Sequence, residues 1–233
     1  GSFQPYTQIY AHTRFYNFRK YSITQHNRKI KQFILSGKCE TDGVKLYASM
    51  LRERSDMNAD DSALIWQENG KRVLLKTPVF TVTETDSVAS DGQKGNYMVI
   101  EPGHDWAIVI PVHGSKFLMV KQWRHAECVL SIEFPGGVMD EGETPEQAAA
   151  RELLEETGHT AGRLTYLGTM SPNPALMSNH VHFFAAEDLT NIHEQHLDKD
   201  EYVHYLELDQ DEVIEGLGTK KEYSHALMAA AVA

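Results

Sequence analysis

The chain is poor in cysteine, in long apolar runs and in positive charge. Its 233 residues include two cysteines, Cys39 and Cys128, which are too few for a disulfide framework and favour a reducing cytosol. No apolar run approaches the roughly 20 residues that a membrane span needs, and no signal peptide is recognisable at the start. We therefore expect a cytoplasmic protein without a membrane partner.

The formal net charge of −11 argues against nucleic acid as a bulk partner. The charge is uneven: residues 1–56 hold ten basic and four acidic side chains, a net of +6, and residues 57–233 hold twelve and twenty-nine, a net of −17. A polar, turn-prone stretch over residues 55–62 marks the boundary. We therefore expect a basic N-terminal extension over residues 1–61.

Apolar spacing after Ser22 and around Tyr47 predicts two helices in this extension. Three interpretations are open: a helical appendage that packs on the main body, a basic arm that binds a partner, or sequence foreign to the native protein, with the domain beginning near Met57.

Beyond the extension, short apolar runs separated by polar turns predict strands, one helix interrupts them, and two short helices end the chain. Interleaved strands and helices place the protein in the α/β or α+β class with a mixed sheet. The predicted strands cover residues 73–75, 79–83, 97–100, 106–112, 116–122, 131–134, 164–167, 180–185 and 206–208.

The predicted central helix has recognisable ends. Thr144 is a good N-cap, Pro145 suits the first helical position, and Gln147 completes a capping box with Thr144. Gly158 suits the left-handed position after the last turn. The helix is therefore predicted over Pro145 to Thr157.

This helix carries an unusual density of carboxylates around Arg151. Glu152 and Glu156 share a face, with Glu155 one turn from Glu152, and like charges at this spacing destabilise a helix. One interpretation is a solvated charged face. The other is a cation site, because the preceding Pro135-Gly136-Gly137 predicts a tight turn that brings backbone carbonyls to the carboxylates. Oxygen ligands of this kind suit Mg²⁺ or Mn²⁺.

The spacing of Gly137, Glu143 and the run Arg151–Gly158 resembles the Nudix box of the Nudix hydrolases. His159 departs from the aliphatic residue that the family prefers after the last glycine. Residues from about Ser62 onward also resemble the ADP-ribose pyrophosphatase branch, in the order of the segments 106–112, 122–124 and 132–137.

The resemblance implies a fold and an assembly. The fold is a Nudix-type α/β/α sandwich over residues 105–233, preceded by an antiparallel strand region over residues 62–104. In that branch this strand region helps to build a homodimer whose subunits complete each other's sites.

The resemblance also implies a metal site. Glu152 and Glu156 correspond to direct ligands of Mg²⁺ or Mn²⁺, Glu155 to a ligand or a close partner, and the Gly136 carbonyl to a further ligand. In the same correspondence, Arg151 and Glu143 orient the carboxylates.

Substrate-binding candidates lie outside the box. Arg124 holds a substrate phosphate or forms a surface ion pair, and Glu133 binds substrate or metal or simply closes a strand. Trp106 and Trp123 stack on a base or belong to the core.

The loop at residues 171–180 departs from the branch, since it has no Pro-Gly pair and no acid to act as a general base. The base is then elsewhere, with Glu155 one option, or it is a histidine such as His180, or the substrate differs. His180 and His182 alternate on the predicted strand and should share a face. The alternative to a functional role is that both are simply polar residues on an exposed sheet surface.

The implied activity is metal-dependent hydrolysis of the pyrophosphate bond in a nucleoside diphosphate linked to another group, with ADP-ribose or a nucleotide sugar as substrate. The alternatives are a 5′-RNA or dinucleotide pyrophosphohydrolase and a catalytically silent sensor of ADP-ribose. The acidic composition disfavours long RNA, and silent members usually lose box glutamates that this chain keeps.

Overall fold

The computed structural model describes residues 61–192, 194–197, 199 and 201–233, all within one compact unit, Gly43–Ala233. The helices predicted in the N-terminal extension lie outside the described residues. No helix in the described part of the chain is long and apolar enough to cross a membrane.

Ten strands and three α-helices make up the described structure, with short 3₁₀ helices at Asp61–Leu64 and Lys221–Tyr223. The strands are β1 (Trp66–Lys76), β2 (Thr81–Ala89), β3 (Lys94–Glu101), β4 (Trp106–His113), β5 (Lys116–Arg124), β6 (Val129–Glu133), β7 (Gly136–Val138), β8 (His159–Met170), β9 (Val181–Asn191) and β10 (His204–Asp209). The helices are α1 (Pro145–Thr157), α2 (Gln210–Gly216) and α3 (Ala226–Ala231).

The strands form two sheets. A meander of β1, β2 and β3 makes an antiparallel three-stranded sheet. The second sheet has the order β10-β5-β4-β9-β8, with β6 paired to β5 and β7 paired to β4. Its pairing of β4 with β9 is parallel, and its other pairings are antiparallel. The predicted mixed sheet is therefore confirmed.

The larger sheet is covered on both faces, which explains the continuous buried run of β4 from Ala107 to Pro111. On one face, Ile108 and Ile110 join a cluster with residues of α2 and α3, among them Val213 and Met228. On the other face, Ala107 and Val109 pack with Ala148, Ala149 and Leu153 of α1. The layered sandwich predicted from the sequence is confirmed.

Two elements differ from the prediction. The Pro135-Gly136-Gly137 segment was predicted as a tight turn, but Gly136 and Gly137 begin the short strand β7, antiparallel to β4. Strand β8 runs over twelve residues, where the sequence predicts four. Its extra length comes from pairing with β9 along its whole course. Many of its side chains are only partly buried, so the sequence shows little of the apolar alternation that predicts a strand.

Candidate active site

Helix α1 begins and ends at the predicted residues. The Thr144 hydroxyl accepts a hydrogen bond from the Gln147 amide, and the Gln147 side chain accepts one from the Thr144 amide. Gly158 ends the helix in the left-handed conformation, with φ 71°. These local signals fix the ends of the helix, and the packing of Ala148, Ala149 and Leu153 on β4 sets which glutamates face the sheet.

Glu152 and Glu156 are buried, with 7% and 4% of their surface exposed. The Glu152 carboxylate lies over Gly137, and Glu156 Oε2 accepts a hydrogen bond from the Gly136 amide at 2.9 Å. Burial raises the pKa of Glu152 to about 7 and that of Glu156 to about 8. The solvated charged face is therefore excluded for these two residues, whereas Glu155 keeps 40% of its side chain exposed.

Arg151 is the cation at the centre of the cluster, and each of its N–H groups has an acceptor. It holds both oxygens of Glu143 at 3.0 Å, while Nη1 contacts Glu152 at 2.8 Å and Glu155 at 3.0 Å. Its last donor reaches the Val138 carbonyl at 3.1 Å. The bond to Glu143 is the main reason that the pKa of Arg151 is raised above its usual range. One guanidinium thus orients three carboxylates.

The sequence reasoning did not single out Glu201, a further acid whose charge acts on this site. The charge of its carboxylate raises the pKa of both Glu152 and Glu156, so it lies within electrostatic range of the pair. It is 45 residues beyond Glu156 in the chain, in an acidic run just before β10. Because the 171–180 loop contains no acid, this acidic run was the sequence signal that could have pointed to Glu201.

The donor chemistry fits a divalent cation. The raised pKa values of the two buried carboxylates show that Arg151 does not fully compensate their negative charge. Mg²⁺ and Mn²⁺ prefer hard oxygen donors of this kind. In the described part of the chain, however, no group of three or more His, Cys, Asp or Glu side chains is arranged to hold a metal ion as it stands. Arg151 Nη1 contacts both Glu152 and Glu155 instead.

Gly136 contacts the carboxylate pair through its backbone amide, which donates to Glu156. It does so from the short strand β7 and not from the predicted turn. Direct ligation of a metal by the Gly136 carbonyl stays a prediction.

Alanine at the two glycines should have different effects. A methyl group at Gly136 would overlap the backbone carbonyl of Ala107, whereas one at Gly137 would lie 2.5 Å from the end of the Glu152 side chain. Because backbone cannot move aside, Gly136→Ala should lower the free energy of unfolding by about 3 kcal/mol or more. Gly137→Ala should cost about 1 kcal/mol and displace Glu152. Urea unfolding of both variants checks this, and equal losses would contradict it.

Arg124 and Glu133 form an ion pair with each other. Arg124 donates through Nε at 2.8 Å and through Nη2, and Glu133 is 2% exposed. His225 Nδ1 lies 3.1 Å from the same carboxylate. Burial alone would raise the pKa of Glu133, but the hydrogen bonds from Arg124 and His225 hold it well below its usual range. Substrate contacts by either residue stay predictions.

The remaining predicted residues lie around β4 and β9. Trp106 is partly buried against the core cluster of α2 and α3, while Trp123 is 47% exposed. Asp105 contacts both His180 and His182. Its carboxylate accepts a hydrogen bond from the His180 backbone amide at 2.7 Å, and His182 Nε2 lies 3.1 Å from it.

His182 is therefore positioned by Asp105, and its Nδ1 lies 2.6 Å from the Thr169 hydroxyl. The His180 side chain keeps 54% of its surface exposed, so it is accessible to a ligand.

Comparisons with known proteins bear on the family and the fold of the chain. The NUDIX domain pattern matches residues 103–226, which include α1 and all the strands of the larger sheet. The chain is 31% identical over 160 residues to an ADP-ribose pyrophosphatase of Bacillus subtilis, covering 66% of this chain and 86% of that protein. It is 28% identical over 117 residues to the ADP compounds hydrolase NudE of Escherichia coli, covering 50% and 63%.

A crystal structure of an ADP compounds hydrolase shares the fold, with a TM-score of 0.63 and 22% identity over 72% of this chain and 90% of that one. The chain therefore belongs to the Nudix family and is an enzyme of its pyrophosphohydrolase type.

Proposed function

We propose that the protein hydrolyses the pyrophosphate bond of a nucleoside diphosphate linked to another group, with ADP-ribose or a nucleotide sugar as substrate. The observation that carries the proposal is the buried pair Glu152 and Glu156, oriented by Arg151. The similarity to the pyrophosphatase of B. subtilis and to NudE supports an ADP-containing substrate.

Members of the Nudix family generally use divalent metal ions, and we propose Mg²⁺ or Mn²⁺ for this chain. Glu152 and Glu156 would hold the ion, with Glu155 beside them and the Gly136 carbonyl as a further ligand. A bound divalent ion polarises phosphoryl oxygens and lowers the pKa of a bound water.

The residues of the chain have separate tasks in this proposal. Arg151, fixed by Glu143, keeps the carboxylates in place by its hydrogen bonds. Glu201 is the candidate acceptor for the proton of the attacking water, because its charge acts on the pair and the 171–180 loop offers no acid. Glu155 is the alternative acceptor, since it is part exposed.

The sugar end of the substrate is assigned to the 171–180 loop. The loop is attached to β3, because the Ile100 amide donates to the Leu176 carbonyl and the Ser178 amide to the Ile100 carbonyl. Its end is attached to Asp105 through the His180 amide. The exposed His180 ring is the candidate contact, with Trp106 a candidate to stack on the base and Arg124, held by Glu133, a candidate for a phosphate.

A homodimer is proposed from the three-stranded sheet. Strand β1 exposes Val73, Leu74 and Leu75 by 43–60%, and Tyr97 and Met98 of β3 are 47% and 44% exposed. A second copy would cover this apolar surface. A monomeric mass in sedimentation equilibrium would contradict it.

A substrate panel tests the proposed function. ADP-ribose, ADP-hexoses, GDP-hexoses and dinucleotides are compared by kcat/KM with Mg²⁺ and with Mn²⁺, in the wild type, in His180→Ala and in the control His113→Ala. His113 is an exposed histidine at the far end of β4. We expect ADP-ribose to yield AMP and ribose 5-phosphate, and His180→Ala alone to change the ranking of sugars.

Two outcomes would contradict these assignments. An unchanged ranking in His180→Ala removes that residue from the substrate site. Absence of turnover with every diphosphate-linked substrate, combined with tight binding of ADP-ribose, would favour a sensor instead.

A further inference from the structure

The C-terminal turn of α1 is bonded to Gln195 and His196, which lie between β9 and β10. The last carbonyls of a helix have no partner within it. Here the Glu155 carbonyl accepts from the His196 amide at 2.9 Å, and the Glu156 carbonyl accepts from Gln195 Nε2 at 2.6 Å. Both acceptors belong to the glutamate cluster, so this segment is attached directly to the active-site helix.

Gln195 also contacts the far end of the same segment. Its Nε2 lies 3.4 Å from the carbonyl of Val203, the residue just before β10. A carboxamide nitrogen carries two hydrogens and can serve two acceptors. One side chain thus links the last turn of α1 to Val203, two residues after Glu201.

We propose that Gln195 is a positioning residue, which holds the Glu201 carboxylate beside Glu152 and Glu156 by closing this segment onto α1. The inference rests on the proposed function, since it deepens the role given there to Glu201. Gln195 is partly buried and acts through hydrogen bonds to backbone, so it has no contact with substrate in this assignment.

The electrostatics of the cluster agree with this geometry. The charge of Glu201, which lies outside α1, raises the pKa of both members of the buried pair. Glu201 is exposed and lies two residues before Val203. The bond from Gln195 to Val203 therefore bears on how far Glu201 stands from the pair.

A double-mutant cycle separates positioning from simple support of the fold. Gln195→Met keeps the length of the side chain and removes both donors. We expect kcat to fall about 10-fold or more, the usual scale for partners of active-site groups, with KM within about twofold. In a Glu201→Gln background the same change should lower kcat by less than about twofold, because the group that it positions is already inactive.

Gln210→Met is the matched control. Gln210 Nε2 also donates to a backbone carbonyl distant in sequence, that of Gly114 at 3.1 Å, but at the turn between β4 and β5. It should cost similar stability in urea unfolding and leave kcat unchanged. If Gln210→Met lowers kcat as much as Gln195→Met, the effect is one of stability and the proposal is wrong.

The cycle is repeated on the affinity for Mn²⁺, measured by calorimetry, so that the inference is tested even if the wild type cleaves no substrate offered. Equal weakening in Gln195→Met, Glu201→Gln and the double variant supports the proposal. Additive losses, or an unaffected Gln195→Met, overturn it. If Glu201→Gln is silent while Gln195→Met is impaired, the assignment of Glu201 fails, but the proposed hydrolysis through Glu152 and Glu156 stands.

Discussion

Replacing Glu156 by glutamine is expected to lower kcat by at least about 100-fold while the metal-free protein unfolds no more easily than the wild type. Loss of a partner of a metal ligand typically costs about 10–100-fold, so loss of a proposed ligand should cost more. The fold should persist because the carboxamide of the new side chain can still accept the hydrogen bond from the Gly136 amide. The substitution also removes a charge that is 4% exposed and unfavourably buried. Glu152→Gln should behave in the same way.

Steady-state kinetics and urea unfolding at about pH 9, where both carboxylates of the pair are largely ionised, measure the two effects together. Glu146→Gln is the control, because Glu146 is an exposed glutamate in the first turn of the same helix. It tests whether a change of one carboxylate on α1 is enough to lower kcat. An unaltered kcat in both Glu152→Gln and Glu156→Gln would remove the pair from the active site.

The sequence could predict the part of the site that lies on α1, because every signal there is local. The capping box, the proline at the first position and the left-handed Gly158 determine the helix within a single segment. Once the ends are known, helical periodicity assigns Glu152 and Glu156 to one face. The pairing of Arg151 with Glu155, four residues later, follows from the same spacing.

What depends on tertiary contacts could not be predicted. Gln195 and His196 reach α1 only because the chain after β9 returns to its C-terminal turn, and no periodicity encodes that return. Likewise, the extended conformation of Gly136 results from its pairing with Ile108 in β4, whereas the local Pro-Gly-Gly sequence favours a turn. An exposed sheet face was one interpretation for His182, but its ring lies against Asp105, 77 residues earlier.

Removal of divalent cations is expected to abolish hydrolysis and to make the stability of the fold decrease as the pH rises. The pKa values of Glu152 and Glu156, about 7 and about 8 in the metal-free protein, exceed the value of about 4.3 for an unfolded glutamate. Between about pH 4.5 and 8 the folded state therefore holds protons that the unfolded state has lost. The free energy of unfolding then falls with rising pH, by at most about 9 kcal/mol in all for the pair.

The Glu133 ion pair does not contribute in this window. Its lowered pKa gives stability that is present above the unfolded value and is lost only as the pH falls through the acidic range. Its contribution is therefore constant from about pH 5 upward, and the expected slope belongs to the pair on α1.

Urea unfolding between about pH 5 and 9, with chelator and with Mn²⁺, measures this effect. With chelator the free energy of unfolding should decrease toward the alkaline end, and Glu156→Gln should have a shallower slope because one of the two titrating groups is gone. With Mn²⁺ the wild type should be stabilised most at the alkaline end, since the ion binds the ionised carboxylates of the folded state. Full turnover in excess chelator would contradict the metal requirement, and a wild-type slope identical to that of Glu156→Gln would contradict the raised pKa of Glu156.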